Sequence, residues 1–387
     1  MMGRRHLPVL GRSGGSRLGR LGSTGLAAAA CVSLLLTACA QNTSGGKIDR
    51  EKLEGHPAGH VAENALKGTK MTFTSYGGGF QDGQEKTLVE PFEKASGADV
   101  ATDEPTDIAK IQAQVESENV LWDVVDSGAD DVAANCGKLF EPLDYSVIDA
   151  SKLPEQTPKH RCYVPTLNYA YGFFYNADKY KNNPPDGWED FFDTKNYPGK
   201  RAIDGRTAPT SGTLEAGLLG DGVAPDELYP LDIDRALGSY DKIKNDLAYW
   251  ETGAQQTQMA ESGEADMVFG WSGRIFEANQ NGANFKPVWN QSLALYDVLA
   301  VPKGAPNKDA AMAFINYTLG AKQQAAMSEE TSYSPVHTEA EPDLSKEAAE
   351  FNTTRPEVLD EQVTLDISYW GKHQEEITDA WTKWLNQ

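Results

Sequence analysis

A tryptophan, a serine, an arginine and an aspartate fall where this chain changes direction. Met267, Val268 and Phe269 form a short apolar run ended by Gly270, which reads as a buried strand. Trp271, Ser272, Gly273 and Arg274 then turn into a helical pattern from Ile275 to Asn281 that Gly282 closes. A second apolar run, residues 296–301, carries Asp297 near its start and stops at Pro302. An indole stacks on a flat or cationic group, a carboxylate pairs with an ammonium, and a guanidinium forks onto a carboxylate. In open α/β sheets, strand ends and helix starts are where ligands sit. No cofactor or metal motif accompanies these residues. His160, His337 and His373 lie far apart, none beside a Ser or Cys in a recognised motif. The set is equipped to hold a small molecule, and an extracytoplasmic enzyme is the weaker reading.

Two further stretches fit the same logic. Tyr76 precedes three glycines, 77–79, at the end of a predicted strand, which allows close backbone approach. Ser211 and Thr213 open a predicted helix, where hydroxyls cap the backbone or the helix start receives a carboxylate.

The elements that must position these groups alternate regularly. Strands are predicted over 71–76, 122–126 and 169–175, with another following Pro198. Helices are predicted over 84–95 with a kink at Pro91, over 214–220, over 233–250, over 312–319 and over 374–385. Such alternation implies α/β layers with largely parallel sheets. Just over three hundred residues follow Met71, enough for two lobes.

Residues 1–38 read as a secretory segment: five arginines without an acidic residue, then an apolar core from Leu26 to Leu36. The apolar run is too short to span a bilayer comfortably, which takes ~20 residues. Leu36-Thr37-Ala38-Cys39 resembles the bacterial lipobox, which implies a lipid anchor on Cys39. Residues 39–68 are polar and read as a tether. The chain holds 35 Lys+Arg against 57 Asp+Glu, a formal charge of −22, and the five arginines leave with the secretory segment. That acidity excludes nucleic acid as a partner. Of four cysteines, Cys136 and Cys162 remain, an even pair in an exported chain, read as a disulfide or as two buried thiols.

Taken together, Pro91-Phe-Glu-Lys-Ala-Ser-Gly, Trp122-Asp-Val-Val, Leu139-Phe-Glu-Pro-Leu-Asp, Pro198-Gly-Lys-Arg, Gly263-Glu-Ala-Asp-Met with Trp271-Ser-Gly-Arg, and Tyr333-Ser-Pro-Val resemble the solute-binding proteins of ABC importers, in the spermidine/putrescine group. The resemblance implies a two-lobed periplasmic-binding-protein-like fold, each lobe a mostly parallel sheet flanked by helices, with the ligand in the cleft between them. Lobe I is expected over 69–173 and 296–335, lobe II over 174–295 and 336–387, with crossings near 171–176 and 293–297. It further implies an extracytoplasmic, lipid-anchored monomer that captures an amine-bearing solute and delivers it to a membrane permease. By the same resemblance the ligand is met by Ser75, Tyr76 and Gly77 in a first turn, by Ser127 in a second, and by Tyr333. Asp297 matches the carboxylate for the ammonium and Trp271 the stacking indole. Arg274 departs from the polyamine pattern, where a small uncharged residue stands. A guanidinium there points to an anionic ligand group. A polyamine is the first expectation, and a zwitterion such as an ω-amino acid is the alternative, with Arg274 on its carboxylate.

Overall fold

A computed structural model describes residues 48–154 and 160–387. The secretory segment and Cys39, where a lipid anchor is expected, lie outside the described residues. Ten strands are described: β1 (Lys70–Thr74), β2 (Asp99–Asp103), β3 (Val124–Gly128), β4 (Tyr163–Asn176), β5 (Arg201–Asp204), β6 (Leu247–Trp250), β7 (Met267–Trp271), β8 (Phe285–Pro287), β9 (Leu293–Ala300) and β10 (Val363–Thr364). They form one path, β2-β1-β3-β9-β4-β7-β5-β6, with β10 beside β9 and β8 beside β4.

Two parallel trios, β2-β1-β3 and β6-β5-β7, are the cores of two lobes, and the long strands β4 and β9 join them. β4 and β9 pair antiparallel from Tyr163↔Ala300 to Tyr171↔Leu293. At one end β9 pairs with β3, and at the other β4 pairs with β7. A register shift between Pro165 and Leu167 breaks the ladder where proline has no N–H to give. β4 is apolar on both faces because helices cover both, so it reads as a continuous hydrophobic run.

Aromatic clusters fix each lobe. Phe314 packs between Phe73 and Phe92 at ring distances of 5.2 and 5.1 Å. In the other lobe Trp188 contacts Phe173 and Phe269 at 5.2 and 4.7 Å. The disulfide forms between Cys136 and Cys162, whose Cα atoms are 5.6 Å apart.

Three expectations need correction. Residues 48–68 are not free tether. Leu53 and Leu66 are buried in the core, Arg50 pairs with Asp144 and Asp309, and Gly59 N–H donates to Asn316 O at 2.9 Å. The helix predicted over 233–250 ends at Lys242, and Leu247–Trp250 is the edge strand β6. Ile243, Leu247 and Trp250 keep helical spacing, yet their partner is β5, so tertiary pairing overrides local periodicity. The kink at Pro91 is instead a π-helical turn, Glu85–Val89, between the helices Gly78–Gln84 and Glu90–Ser96. Among the described residues no helix is long and apolar enough to cross a membrane.

Candidate functional site

The two parallel trios point their carboxyl ends at the crossing strands, and the charged groups of the site gather there. From the first lobe, β3 ends in Asp126 and Ser127, both buried, and the helix Ala129–Ala134 begins with Asp130 and Asp131. β9 brings Asp297 directly opposite Gly128. Beyond the end of β1, Ser75 is buried while Tyr76 is 36% exposed. Asp297, Asp126, Asp131 and Arg206 all lie within electrostatic reach of the Tyr76 hydroxyl.

Three of these carboxyls, Asp126, Asp131 and Asp297, are held above their usual range. Burial pushes Asp297 up to about 7; neighbouring Asp130 adds to this, while the Tyr169 hydroxyl and the Arg274 guanidinium pull the other way. Burial and then Asp130 raise Asp131 to about 7, against the Gln374 amide, which donates to it at 2.8 Å, and against Arg206. A site of carboxyls that resist ionisation gains most from a cation that enters it.

The second lobe answers with Arg206. Its Nε and one terminal nitrogen fork onto Asp204 at 3.0 and 2.7 Å, a pair also fed by the backbone and hydroxyl of Thr210. The guanidinium carbon lies 5.2 Å from the Trp271 ring centroid and 5.5 Å from that of Trp250. The arginine side chain keeps 33% of its surface exposed, whereas Asp204 is buried. Trp381 Nε1 donates to Arg206 O at 2.9 Å, and this bond fixes the loop from outside. A stacked, anchored guanidinium with free edge is built to receive an anion.

Arg274 is placed differently from its expectation. It is buried, it donates to Gly77 O at 2.9 Å, and it pairs with Glu277 at 3.3 Å. Its donors thus join the helix Ser272–Gln280 of the second lobe to the glycine turn of the first. A Cβ on Gly78 would stand 3.1 Å from an Arg274 nitrogen, and one on Gly79 would stand 2.7 Å from Glu277, so the turn lies close against this charged pair. Gly77 takes φ 73, the left-handed region that glycine tolerates.

The structure therefore brings Tyr76 and Asp297 into one neighbourhood, and Arg206 carries Trp271 into it. Ser211 is no helix cap: its hydroxyl crosses to the Asp130 carboxylate. Thr213 is buried with its hydroxyl 3.3 Å from that of Tyr171, behind the site. Tyr333 packs edge-on to Phe80 at 5.1 Å and lies against Gly273, where any Cβ would strike its ring. Ser75 and Ser127 are buried at their strand ends. Arg206, Asp126 and Asp131 are missing from the sequence reading. The signal for Arg206 was present, since Asp204-Gly205-Arg206 follows an apolar strand as Trp271 does. Among the described residues no group of three His, Cys, Asp or Glu is disposed to hold a metal.

Known proteins match this chain over most of its length. The profile of the bacterial extracellular solute-binding protein family covers residues 87–353. The gamma-aminobutyric acid-binding protein of Pseudomonas aeruginosa is 32% identical over 322 residues, 81% of this chain and 90% of that protein. A putrescine-binding periplasmic protein of Escherichia coli is 25% identical over 63% of this chain and 73% of its own length. Among solved structures, the Atu4243–GABA receptor superimposes with a TM-score of 0.72 at 39% identity, covering 82% of this chain and 98% of the other. The agropinic acid complex of AgtB from A. tumefaciens R10 gives 0.75 at 33% identity, covering 82% and 99%. With family profile, relatives and fold in agreement, the chain belongs to the bacterial extracellular solute-binding proteins, the small-solute receptors of ABC importers.

Proposed function

We propose that this chain captures a small zwitterion with an ammonium at one end and a carboxylate at the other, an ω-amino acid of the 4-aminobutyrate kind. The observation that carries the reading is the division of the cleft: a cluster of carboxyls on the first lobe, and on the second the partly exposed Arg206, held by Asp204 and stacked on two tryptophans. Asp297 takes the ammonium, with Tyr76 beside it. Arg206 takes the carboxylate, and Trp271 covers the carbon chain. Arg274, buried and bonded to Gly77 O across the lobes, closes the cleft in place of binding the anion. The gamma-aminobutyric acid names of two relatives support the same choice. Lobe I takes 69–173 and 296–335 and lobe II 174–295 and 336–387, and a lipid on Cys39 holds the monomer at the outer face beside its permease.

The polyamine reading keeps one observation in its favour, the four aspartates 126, 130, 131 and 297, and it has putrescine-binding relatives. An arginine facing them is what a second ammonium would not want. Calorimetric titration of the protein with 4-aminobutyrate, butylamine, butyrate and putrescine separates the two. Each one-charge analogue gives up one of the two charge-assisted contacts, worth about 1.5–3 kcal/mol, so each should bind roughly ten- to a hundredfold more weakly than 4-aminobutyrate. Tight putrescine binding without measurable 4-aminobutyrate binding would overturn the zwitterion.

A further inference from the structure

Behind Asp297 the first lobe holds buried polar atoms that nothing satisfies. Asp126 is fully buried; its Oδ2 accepts from Gln84 Nε2 at 2.5 Å, while its Oδ1 has no partner. Gln84 Oε1 and Ser75 Oγ are likewise buried and unpartnered. The strand registers bring these groups together. Thr74 lies opposite Val125, so the next residues, Ser75 and Asp126, fall on one face of the sheet on neighbouring strands. Asp126 lies opposite Leu299, which makes Asp297 its diagonal neighbour on the same face, ~7–8 Å away. Both Tyr76 and Tyr333, which flank the cleft, lie within electrostatic reach of Asp126.

The chemistry of the unfilled positions is one-sided. A carboxylate oxygen and an amide oxygen can only accept, and a serine hydroxyl accepts as readily as it donates. Their complement is a group with several N–H donors and a positive charge. A primary ammonium has three donors and no acceptor. A carboxylate or a phosphate could take only the Ser75 hydroxyl and would leave the Asp126 and Gln84 oxygens unsatisfied.

We propose that Asp126, Gln84 and Ser75 form an inner ammonium subsite beyond Asp297, reached by ligands whose chain is too long to place its amine at Asp297 while its other end stays at Arg206. The inference rests on the zwitterion reading of the same cleft and adds a depth scale to it. Short ω-amino acids stop at Asp297; longer ones, or the far amine of a diamine, run on to Asp126. Burial, and after it the nearby Asp297, holds the Asp126 carboxyl well above the usual carboxylate range, so an entering ammonium, by favouring the ionised form, releases a proton from the pair to solvent.

The test is calorimetric titration of the full mature protein, wild type, Asp126→Asn and Gln84→Met, with the ω-amino acids from 3-aminopropanoate to 6-aminohexanoate and with 1,4- and 1,5-diamines. Asp126→Asn should weaken the longest amino acid at least tenfold and the shortest no more than about threefold, with Gln84→Met shifting in the same direction by less. A length-dependent loss in the diamine arm alone assigns the ammonium to that source and still supports the subsite. Losses that are equal at every length, or absent, in both variants would overturn it. Should Asp126→Asn fail to fold, Gln84→Met, which keeps the charge, carries the test. Wild-type protein that binds no member of either series would instead sink the zwitterion reading, and the inner subsite with it.

Discussion

At the scale of single residues, the site depends on carboxyls kept above their ordinary pKa. Asp297 and Asp131 titrate at about 7 in the folded protein against 3.8 for a free side chain, so between those values the native state binds protons that the unfolded state has lost. Stability of the ligand-free protein must therefore fall as pH rises through this window. His160 and His337, held low mainly by burial, work the other way below about 6.5, but they are two partly screened groups against the buried carboxyls of the cleft. The ligand-free melting temperature is expected to be higher at pH 5.5 than at pH 8. Bound 4-aminobutyrate should shrink or reverse the difference, because its ammonium favours the ionised carboxylates. Thermal unfolding with and without ligand at the two pH values checks this; a ligand-free protein more stable at pH 8 would contradict the buried-carboxyl account.

At the scale of elements, the Cys136–Cys162 bridge ties two elements of the site's scaffold together. It begins two residues beyond the helix Ala129–Ala134, which carries Asp130 and Asp131, and it ends next to Tyr163, where β4 begins. Its separation of 26 residues gives roughly 3.5 kcal/mol in the chain-entropy model. Cys136→Ser with Cys162→Ser should lower unfolding stability by about that amount in denaturant titration, and should weaken ligand binding as well, since the helix loses its tie. Unchanged affinity would place the bridge outside the site. Much of this element level was legible. Strand ends, the glycine turn, the paired cysteines and the α/β alternation all carry local signals. The bond from Arg274 to Gly77 O was not legible, because that partner is 197 residues away and no local pattern announces it. The apolar leucines of the segment 48–68 are too sparse to announce packing, yet Leu53 and Leu66 are each enough to pin it. The β6 strand hid inside a helical period for the same reason: its partner is remote.

At the scale of the molecule, the polar contacts that join the lobes around the cleft include three charged ones: Arg274 to Gly77 O, Ser211 to Asp130, and Gln374 to Asp131. The last comes from the helix Ile367–Leu385, which is anchored on the second lobe through Trp370 to Glu215 and Trp384 to Asp241 at 2.7 Å each. Arg274→Ala removes one of the three without touching the ligand's charges. It should open the ligand-free protein, seen as a larger radius of gyration in solution scattering, and weaken every ligand by a similar factor. A loss confined to carboxylate ligands would return Arg274 to the role expected from sequence. The central claim is that Arg206 is the anion receptor, and its most direct test is titration of Arg206→Gln with 4-aminobutyrate and with putrescine. Affinity for 4-aminobutyrate should fall by roughly ten- to a hundredfold, the loss of a charge-assisted contact worth about 1.5–3 kcal/mol, while putrescine binding holds or improves. Retained 4-aminobutyrate affinity in that variant, with its fold verified by its melting profile, would contradict the account.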